Sequence, residues 1–241
     1  MDYEAHCDAV RSAAAALVDA LRQGDMGATV PTCPDWTLRD LAAHVGEFTG
    51  LWTHVLCEGT DRQKTPYGDI PADDAAVADW YDGLAASLLG ELAATTAETA
   101  VWTWVPDDQT ARFVARRCAN ELAVHRFDAQ TAVGRPEPID APVAADAIDE
   151  TFVMIPAWGN QPDGSGRSLH LHATDHPYEC TITMTPDGLD IGREHGPADL
   201  TLSAAASDLA LLVFQRPPIG PVDHQGDDLA LDAWYREFHF G

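Results

Sequence analysis

Four amphipathic segments follow one another in the first 132 residues, and they constrain the possible fold more than any other feature of the sequence. In each segment the apolar residues recur every three or four positions, which is the spacing of one buried helix face. The connecting stretches predict loops, including a proline-containing connector at 30–36 and a polar loop at 59–71. Four long helices joined by loops predict a four-helix bundle, a fold that builds metal and cofactor sites from inward-facing side chains. The predicted helices span 3–23, 38–57, 73–95 and 109–132.

A change in sequence character near residues 135–138, which read RPEP, marks the predicted domain boundary. Residues 1–136 form the predicted bundle, and residues 137–241 form a smaller α+β domain. The fold class is therefore α plus α/β mixed, and the sheet of the second domain is mainly antiparallel with helices on one side. In that domain the sequence predicts strands at 168–173, 179–184, 189–191 and 198–203, and helices at 141–155, 206–215 and 227–234.

The charge of the chain limits the partners that it can bind. With 14 basic and 39 acidic residues, the net charge of −25 repels nucleic acid and anionic membrane surfaces. No apolar run approaches the roughly 18 residues of a membrane span, and the acidic start does not resemble an export signal. The five cysteines are scattered and odd in number, so we expect no disulfide scaffold and a reducing, cytoplasmic location.

The fourth predicted helix carries a carboxylate and an imidazole at metal-binding spacing. Four residues separate Glu121 from His125, which places them above one another on a helix, with Cys118 and Asp128 on the same side. Such a pair also occurs on ordinary solvated helix faces. A buried, unpaired carboxylate would be strongly destabilising, and a divalent cation between Glu121, His125 and a third ligand would offset that effect.

His44 is the predicted third ligand, because it lies inside the apolar stripe of the second helix. The alternative is a core histidine whose ring nitrogens are satisfied by hydrogen bonds. Two imidazoles and one carboxylate leave coordination positions open, as catalytic zinc sites do. Iron(II) or nickel fits the same ligand set, so the spacing alone does not identify the ion. An open position allows such an ion to lower the pKa of a bound water or thiol.

Two stretches resemble motifs of the mycothiol-dependent maleylpyruvate isomerase family. Residues 33–44 read CPDWTLRDLAAH and are similar to the family segment C-P-x-W-T-x-x-D-L-x-x-H. Residues 121–128 read ELAVHRFD and resemble the segment E-x-x-x-H-R-x-D. This resemblance implies a DinB-like metal-binding four-helix bundle followed by a smaller α+β domain. Looser similarity to that second domain lies at 198–203, 207–216 and 225–227.

The resemblance also implies chemical roles. His44, Glu121 and His125 correspond to the family's zinc ligands, and the ion is expected to activate the sulfur of mycothiol, a low-molecular-weight thiol of actinobacteria. The reactions known in the family are isomerisation through thiol addition to a double bond and thiol transfer to electrophiles. Both use a sulfur nucleophile that attacks an electrophilic carbon. The implied partners are mycothiol and a small electrophile, but no feature of the sequence identifies maleylpyruvate as the substrate.

Two arginines are further candidates. Arg216 resembles an arginine near the family's active site and is predicted to act in catalysis and to bind a substrate or thiol carboxylate. Its alternative role is a solvent-facing charge at a helix C-terminus. Arg126 is a cofactor-binding candidate, although its neighbours do not decide which way it faces. Asp128 and Asp40 are either partners that orient the imidazoles or solvated surface acids.

Two histidines of the second domain, His170 and His172, share one strand face, but no third ligand is evident and an ordinary polar sheet face is expected. The leading hypothesis is a metalloenzyme, a monomer or small homo-oligomer, that activates mycothiol for isomerisation or S-transfer. One alternative is a binding or resistance protein that keeps the fold without turnover. The other is a metal-dependent hydrolase that holds water in the open position.

Overall fold

The chain forms two compact units, Met1–Glu137 and Pro138–Gly241, in a computed structural model that describes residues 1–59, 69–159 and 164–238. Most of the loop predicted at 59–71 lies outside the described residues. None of the described helices is both long enough and apolar enough to cross a bilayer. All five cysteines lie among the described residues, and none of them forms a disulfide.

The first unit is a bundle of four long helices, which confirms the predicted helical architecture. α1 packs against α3 and α4, and α2 packs against the same two helices. α4 is buried along most of its length, so the residues that it carries face the interior of the unit. The helices are α1 Tyr3–Gln23, α2 Leu38–Glu58, α3 Val77–Ala94 and α4 Ala111–Ala132.

Local signals set the helix ends. Asp2 caps α1 by accepting from the Ala5 backbone N–H, and Thr110 caps α4 by accepting from that of Phe113. At the start of α2, Thr37 and Asp40 form a reciprocal capping box. A 3-10 turn at Asp74–Ala76 precedes α3, which therefore starts later than the sequence predicts.

The connector before α2 is a small antiparallel hairpin, which the sequence did not predict as strands. It pairs β1, Thr29–Val30, with β2, Cys33–Thr37. Backbone hydrogen bonds from Leu38 and Arg39 to Ala28 and Met26 join the hairpin to the first turn of α2. About two turns further along α2, Gly46 allows α3 to approach closely, because a Cβ there would lie 2.1 Å from the Trp80 ring. The hairpin and this contact hold the N-terminal half of α2 in place.

The second unit contains one five-stranded sheet in the order β5-β4-β3-β6-β7. Only β3 and β6 run parallel, so the sheet is mainly antiparallel, as predicted. α6 packs on β3 and β6, α7 packs on β3, and α5 packs on α6. The elements are α5 Ala141–Ala157, β3 Ser168–Ala173, β4 Glu179–Thr185, β5 Gly188–Gly192, β6 Leu200–Ala204, α6 Ala206–Val213, β7 Asp223–Gly226 and α7 Leu229–Glu237.

Alternation along β4 determines which face of the sheet forms the core. Cys180, Ile182 and Met184 are buried, while the residues between them are partly exposed. Leu171 and Leu169 stand opposite Cys180 and Ile182 on β3, so the apolar side chains of the two strands meet on one face. The opposite face carries His170 and His172 together with Glu179.

Candidate metal centre

Three nitrogen and oxygen donors converge inside the first unit. His44 comes from α2, and Glu121 and His125 come from successive turns of α4. Oε1 of Glu121 lies 3.3 Å from Nε2 of His44 and 3.3 Å from Nε2 of His125. One donor atom from each of the three residues lies within 4.8 Å of the other two. The structure thus brings the three predicted ligands together.

The two imidazoles differ in exposure, which gives the centre one open side. The side chain of His125 is only 6% exposed, whereas that of His44 is 39% exposed. Their rings meet edge to face, with centroids 4.8 Å apart. Trp36 from β2 lies against both rings, 4.9 Å from His44 and 6.2 Å from His125. The centre is therefore exposed to solvent on the side of His44, next to the Trp36 ring.

Asp128 contacts Nδ1 of His125, the ring nitrogen that does not face Glu121. Its Oδ2 lies 2.9 Å from Nδ1 of His125 and accepts from Sγ of Cys33 at 3.7 Å. Asp128 is fully buried, so this contact fixes the ring orientation and leaves Nε2 facing Glu121 and His44. A carboxylate behind a histidine in this way is typical of metal-binding histidines, and it settles the role of Asp128 in favour of orienting an imidazole.

Arg117 stabilises the charge on Glu121. Its guanidinium contacts Oε2 of Glu121 from one helical turn earlier, which leaves Oε1 to the two histidines. Burial by itself would raise the pKa of Glu121. Arg117 and the hydrogen bonds with His125 and His44 outweigh burial and hold that pKa well below its usual value. Glu121 is therefore ionised and can act as an anionic ligand at neutral pH.

Opposing effects also act on His125. Burial favours the neutral ring, but hydrogen bonds with Asp128 and Glu121 favour the protonated form and raise its pKa to about 9. The carboxylates of Asp128 and Glu121 thus stabilise a positive charge on the His125 ring. In the metal-free chain a proton supplies that charge. A divalent cation on Nε2 would supply the same charge, so the electrostatics of these residues fit a metal ion.

The donor set fits zinc in kind as well. Two imidazole nitrogens and one carboxylate oxygen are a ligand set of catalytic zinc sites, which keep a further position open. Their short mutual distances are of the order that bonds of about 2 Å to one ion produce. The residues present therefore suit a transition-metal ion.

Comparison with known proteins places the chain in a family. The profile described as the mycothiol maleylpyruvate isomerase N-terminal domain matches residues 7–130, which is more than half of the sequence. The chain belongs to the mycothiol maleylpyruvate isomerase family. No curated protein matches the sequence significantly.

Solved structures in this family share the fold of the chain. The crystal structure of the mycothiol-dependent maleylpyruvate isomerase is 15% identical and aligns with a TM-score of 0.65. A structure of a mutant of that enzyme is 14% identical and aligns with a TM-score of 0.66. Each comparison covers 93% of this chain and 93% of the other. These matches confirm the predicted fold class, while the low identities leave the reaction open.

The maleylpyruvate isomerase resemblance also predicted roles for two arginines, which the structure places as follows. Arg126 is buried on α4, where it donates to Oε1 of Gln130 and lies 3.8 Å from Oε2 of Glu137. Arg216 follows α6 in the second unit and donates to the Phe214 carbonyl oxygen. Because Arg216 is only 4% exposed, the alternative of a solvent-facing charge is wrong. A binding role for either arginine stays a prediction.

Asp40 and Cys118 have structural roles in this family member. Asp40 is exposed and bonds to Thr37 in the capping box, so it caps α2 and does not orient an imidazole. Cys118 is fully buried in the core, as expected of a small apolar side chain.

Sequence reasoning missed three residues that shape the centre. Arg117 precedes Glu121 by four positions, and that spacing is the signal that would have identified the pair. Trp36 and Cys33 belong to the recognised motif, but only the hairpin of β1 and β2 places them against the histidines and Asp128.

Proposed function

We propose that the chain is a metal-dependent enzyme of the cytoplasm that activates mycothiol for attack on a small electrophile. The observation that carries this proposal is the convergence of His44, Glu121 and His125 in a domain of the mycothiol maleylpyruvate isomerase family. In this proposal the three residues hold one divalent ion, with zinc as the expected metal and nickel or iron(II) as alternatives. When bound, such an ion lowers the pKa of a coordinated thiol and supplies a thiolate near neutral pH.

The protein residues would divide the remaining tasks. His125 contributes the buried ligand, and Asp128 keeps its ring in one orientation. The guanidinium of Arg117 contacts Oε2 of Glu121 and offsets its negative charge. The carboxylate therefore stays ionised, and Oε1 stays available as the metal ligand. His44 is the exposed ligand, and the thiol would enter on its side, beside Trp36.

The reaction itself would be addition of sulfur to carbon. The thiol gives up its proton to solvent, and the sulfur forms a bond to an electrophilic carbon while the carbon–carbon π bond breaks and its electron pair moves onto the conjugated electron-withdrawing group of the substrate. If that bond later breaks after rotation about the former double bond, the thiol is regenerated and the outcome is isomerisation. If the adduct instead takes up a proton from solvent on the neighbouring carbon, the carbon–sulfur bond persists and the outcome is S-transfer. Mycothiol and a small electrophile are the proposed partners, in a monomer or small homo-oligomer.

Arg216 and Arg126 complete the proposal as groups that bind a carboxylate of the thiol or the electrophile. A bidentate contact needs the planar guanidinium, which lysine cannot replace. Arg216→Lys should therefore raise KM for mycothiol or for the electrophile while the metal content stays unchanged. Arg126→Lys tests the second arginine in the same way. If neither variant changes the KM for mycothiol or for the electrophile, the arginines do not bind a carboxylate of either molecule.

Metal analysis coupled to a mycothiol-dependent assay tests the proposed function. The purified chain should hold about one tightly bound divalent ion and should consume an electrophile only when mycothiol is present. His44→Ala and His125→Ala should lose both the ion and the turnover. His54→Ala is the matched control, because it removes a histidine from the same helix about 15 Å further along. Full metal occupancy in His125→Ala would overturn the ligand assignment.

The same assay separates the alternatives. Turnover that does not need thiol would favour a hydrolase that activates water. Tight binding of small molecules without turnover across a broad panel of electrophiles would favour a binding or resistance protein.

A further inference from the structure

A second cluster of metal-binding side chains lies in the second unit, where the sequence predicted an ordinary polar sheet face. Oε1 of Glu179 lies 2.8 Å from Nε2 of His170 and 2.7 Å from Nδ1 of His195. Nδ1 of His172 lies 3.4 Å from the same oxygen. Three imidazoles therefore surround one carboxylate oxygen, and Glu179 and His195 supply further donors that were not evident from the sequence.

The sheet fixes three of these four residues. His172 on β3 stands directly opposite Glu179 on β4, and His170 is its diagonal neighbour, opposite Thr181. Side chains two positions apart share a face, so both histidines and the carboxylate point to the same side of the sheet. The side chain of His170 is only 1% exposed, which is unusual for a histidine on a polar face.

The fourth residue arrives on the segment that follows β5. Gly192 is the last residue of β5 and pairs with Thr181, so the chain leaves the sheet beside the cluster. Arg193 then contacts Asp149 of α5 and lies 5.8 Å from the ring of Phe152, which anchors the segment two residues before His195. The His195 ring meets the His170 ring at right angles, with centroids 4.9 Å apart.

We propose that His170, Glu179 and His195 form a second divalent metal site, with His172 beside it. The donor atoms of the first three lie within 4.8 Å of one another. Bonds of about 2.0–2.1 Å in a tetrahedron separate ligand atoms by roughly 3.3 Å, so the pairs at 2.7–2.8 Å need to open by only about half an ångström. Binding of an ion by these residues would link the segment after β5, which carries His195, to strands β3 and β4.

The chemistry of the donors defines the class of ion. Imidazole nitrogens suit zinc, copper and nickel, whereas magnesium and calcium prefer oxygen ligands. The side chain of His195 is 80% exposed, so an ion reaches the cluster directly from solvent. The net charge of −25 raises the local concentration of cations around the chain.

One feature lowers the expected affinity of this site relative to the first centre. Nδ1 of His170 is buried, and no hydrogen-bond partner for it is present among the described residues. Metal-bound histidines usually place the second ring nitrogen on a carboxylate or carbonyl, and loss of that partner weakens metal binding by about 10- to 100-fold. We therefore expect the second ion to bind at least about tenfold more weakly than the first.

A zinc titration of the metal-depleted full chain, monitored by calorimetry, tests the second site. The unaltered chain should bind about two equivalents with separate affinities. His195→Ala should abolish the weaker equivalent and leave the tighter one, and Glu179→Gln should do the same. His224→Ala is the matched control, since it removes an exposed histidine from β7 in the same unit, and it should bind like the unaltered chain. His195 is exposed, so its replacement leaves the core of the unit intact.

The titration also separates this inference from the proposed function. His125→Ala should keep the weaker equivalent that His195→Ala loses, whether or not the first centre binds zinc. If the unaltered chain and His195→Ala bind the same number of ions with the same affinities, the second site is overturned. A loss of the weaker equivalent in His224→Ala would also contradict it.

Discussion

The two units contain similar donor sets that are supported in different ways. In the first unit Asp128 lies behind His125, and Arg117 neutralises the outer oxygen of Glu121. In the second unit Nδ1 of His170 has no partner among the described residues, and all three histidines share a single oxygen of Glu179. The first centre lies in a helix bundle and is exposed to solvent only at His44, while the second is exposed mainly at His195, on the segment after β5. We therefore expect the groups behind the donors, more than the donors themselves, to make the proposed first site the stronger of the two.

Removal of a ligand from the first centre should have the largest effect. His125→Ala leaves only two of the three proposed ligands, Glu121 and His44, and we expect two ligands to lose zinc during purification. We expect loss of the tightly held ion and of any mycothiol-dependent activity, as measured by metal analysis and turnover. His195→Ala should leave both unchanged, and a loss of activity in that variant would break the distinction between the two regions.

The pH should have the next largest effect, and it acts on the first centre through His125. Because its folded-state pKa is raised to about 9, protonated His125 stabilises the metal-free chain fully below its unfolded pKa, about 6.5. That stabilisation is lost as the pH rises through about 9. Zinc must displace the same proton, so affinity at the first centre should rise by up to about 100-fold between about pH 6.5 and pH 8.5.

Zinc titrations at the two pH values, with thermal unfolding of the metal-free chain, measure this effect. Asp128→Asn should flatten both profiles, because it removes a carboxylate that raises the pKa of His125. A pH-independent affinity in the unaltered chain would show that the raised pKa does not govern metal binding.

Substitution of the outer carboxylate should have an intermediate effect. Asp128→Asn keeps the size of the side chain but weakens its hold on Nδ1 of His125, so zinc affinity at the first centre should fall by about 10- to 100-fold. The affinity of the second site should not change. Competition with a chelator measures the zinc affinity of each variant. If Asp128→Asn and the unaltered chain bind zinc equally tightly at the first centre, the reason for expecting the first site to be stronger than the second is lost.

The smallest effect is expected at Asp40, an acid of the same motif that caps α2. Asp40→Ala removes half of the capping box and should lower the free energy of unfolding by about 1 kcal/mol, as chemical denaturation would show. Zinc affinity should stay the same, in contrast with Asp128→Asn. A fall in affinity at constant stability would give Asp40 the orienting role that its position in the structure argues against.

Most helices of the fold could be predicted, because helix formation depends on local patterns. α1 has the predicted limits, and α4 differs from its prediction only in its first turn. The hairpin of β1 and β2 and the strand β7 were not predicted as strands. β1 has two residues and β7 is a polar, fully exposed stretch, so neither shows the alternation that marks a strand.

By itself the sequence determined the helical bundle, the mixed class of the second domain and the spacing that stacks Glu121 below His125. These features follow from interactions over three or four residues, which the order of the residues encodes directly. Only the tertiary structure decided that His44 meets Glu121, 77 positions away in the chain. It also decided that His195, on the segment after β5, contacts Glu179 on β4. Such contacts depend on how helices and strands pack, and packing is set by the shape and burial of many side chains together rather than by any local pattern.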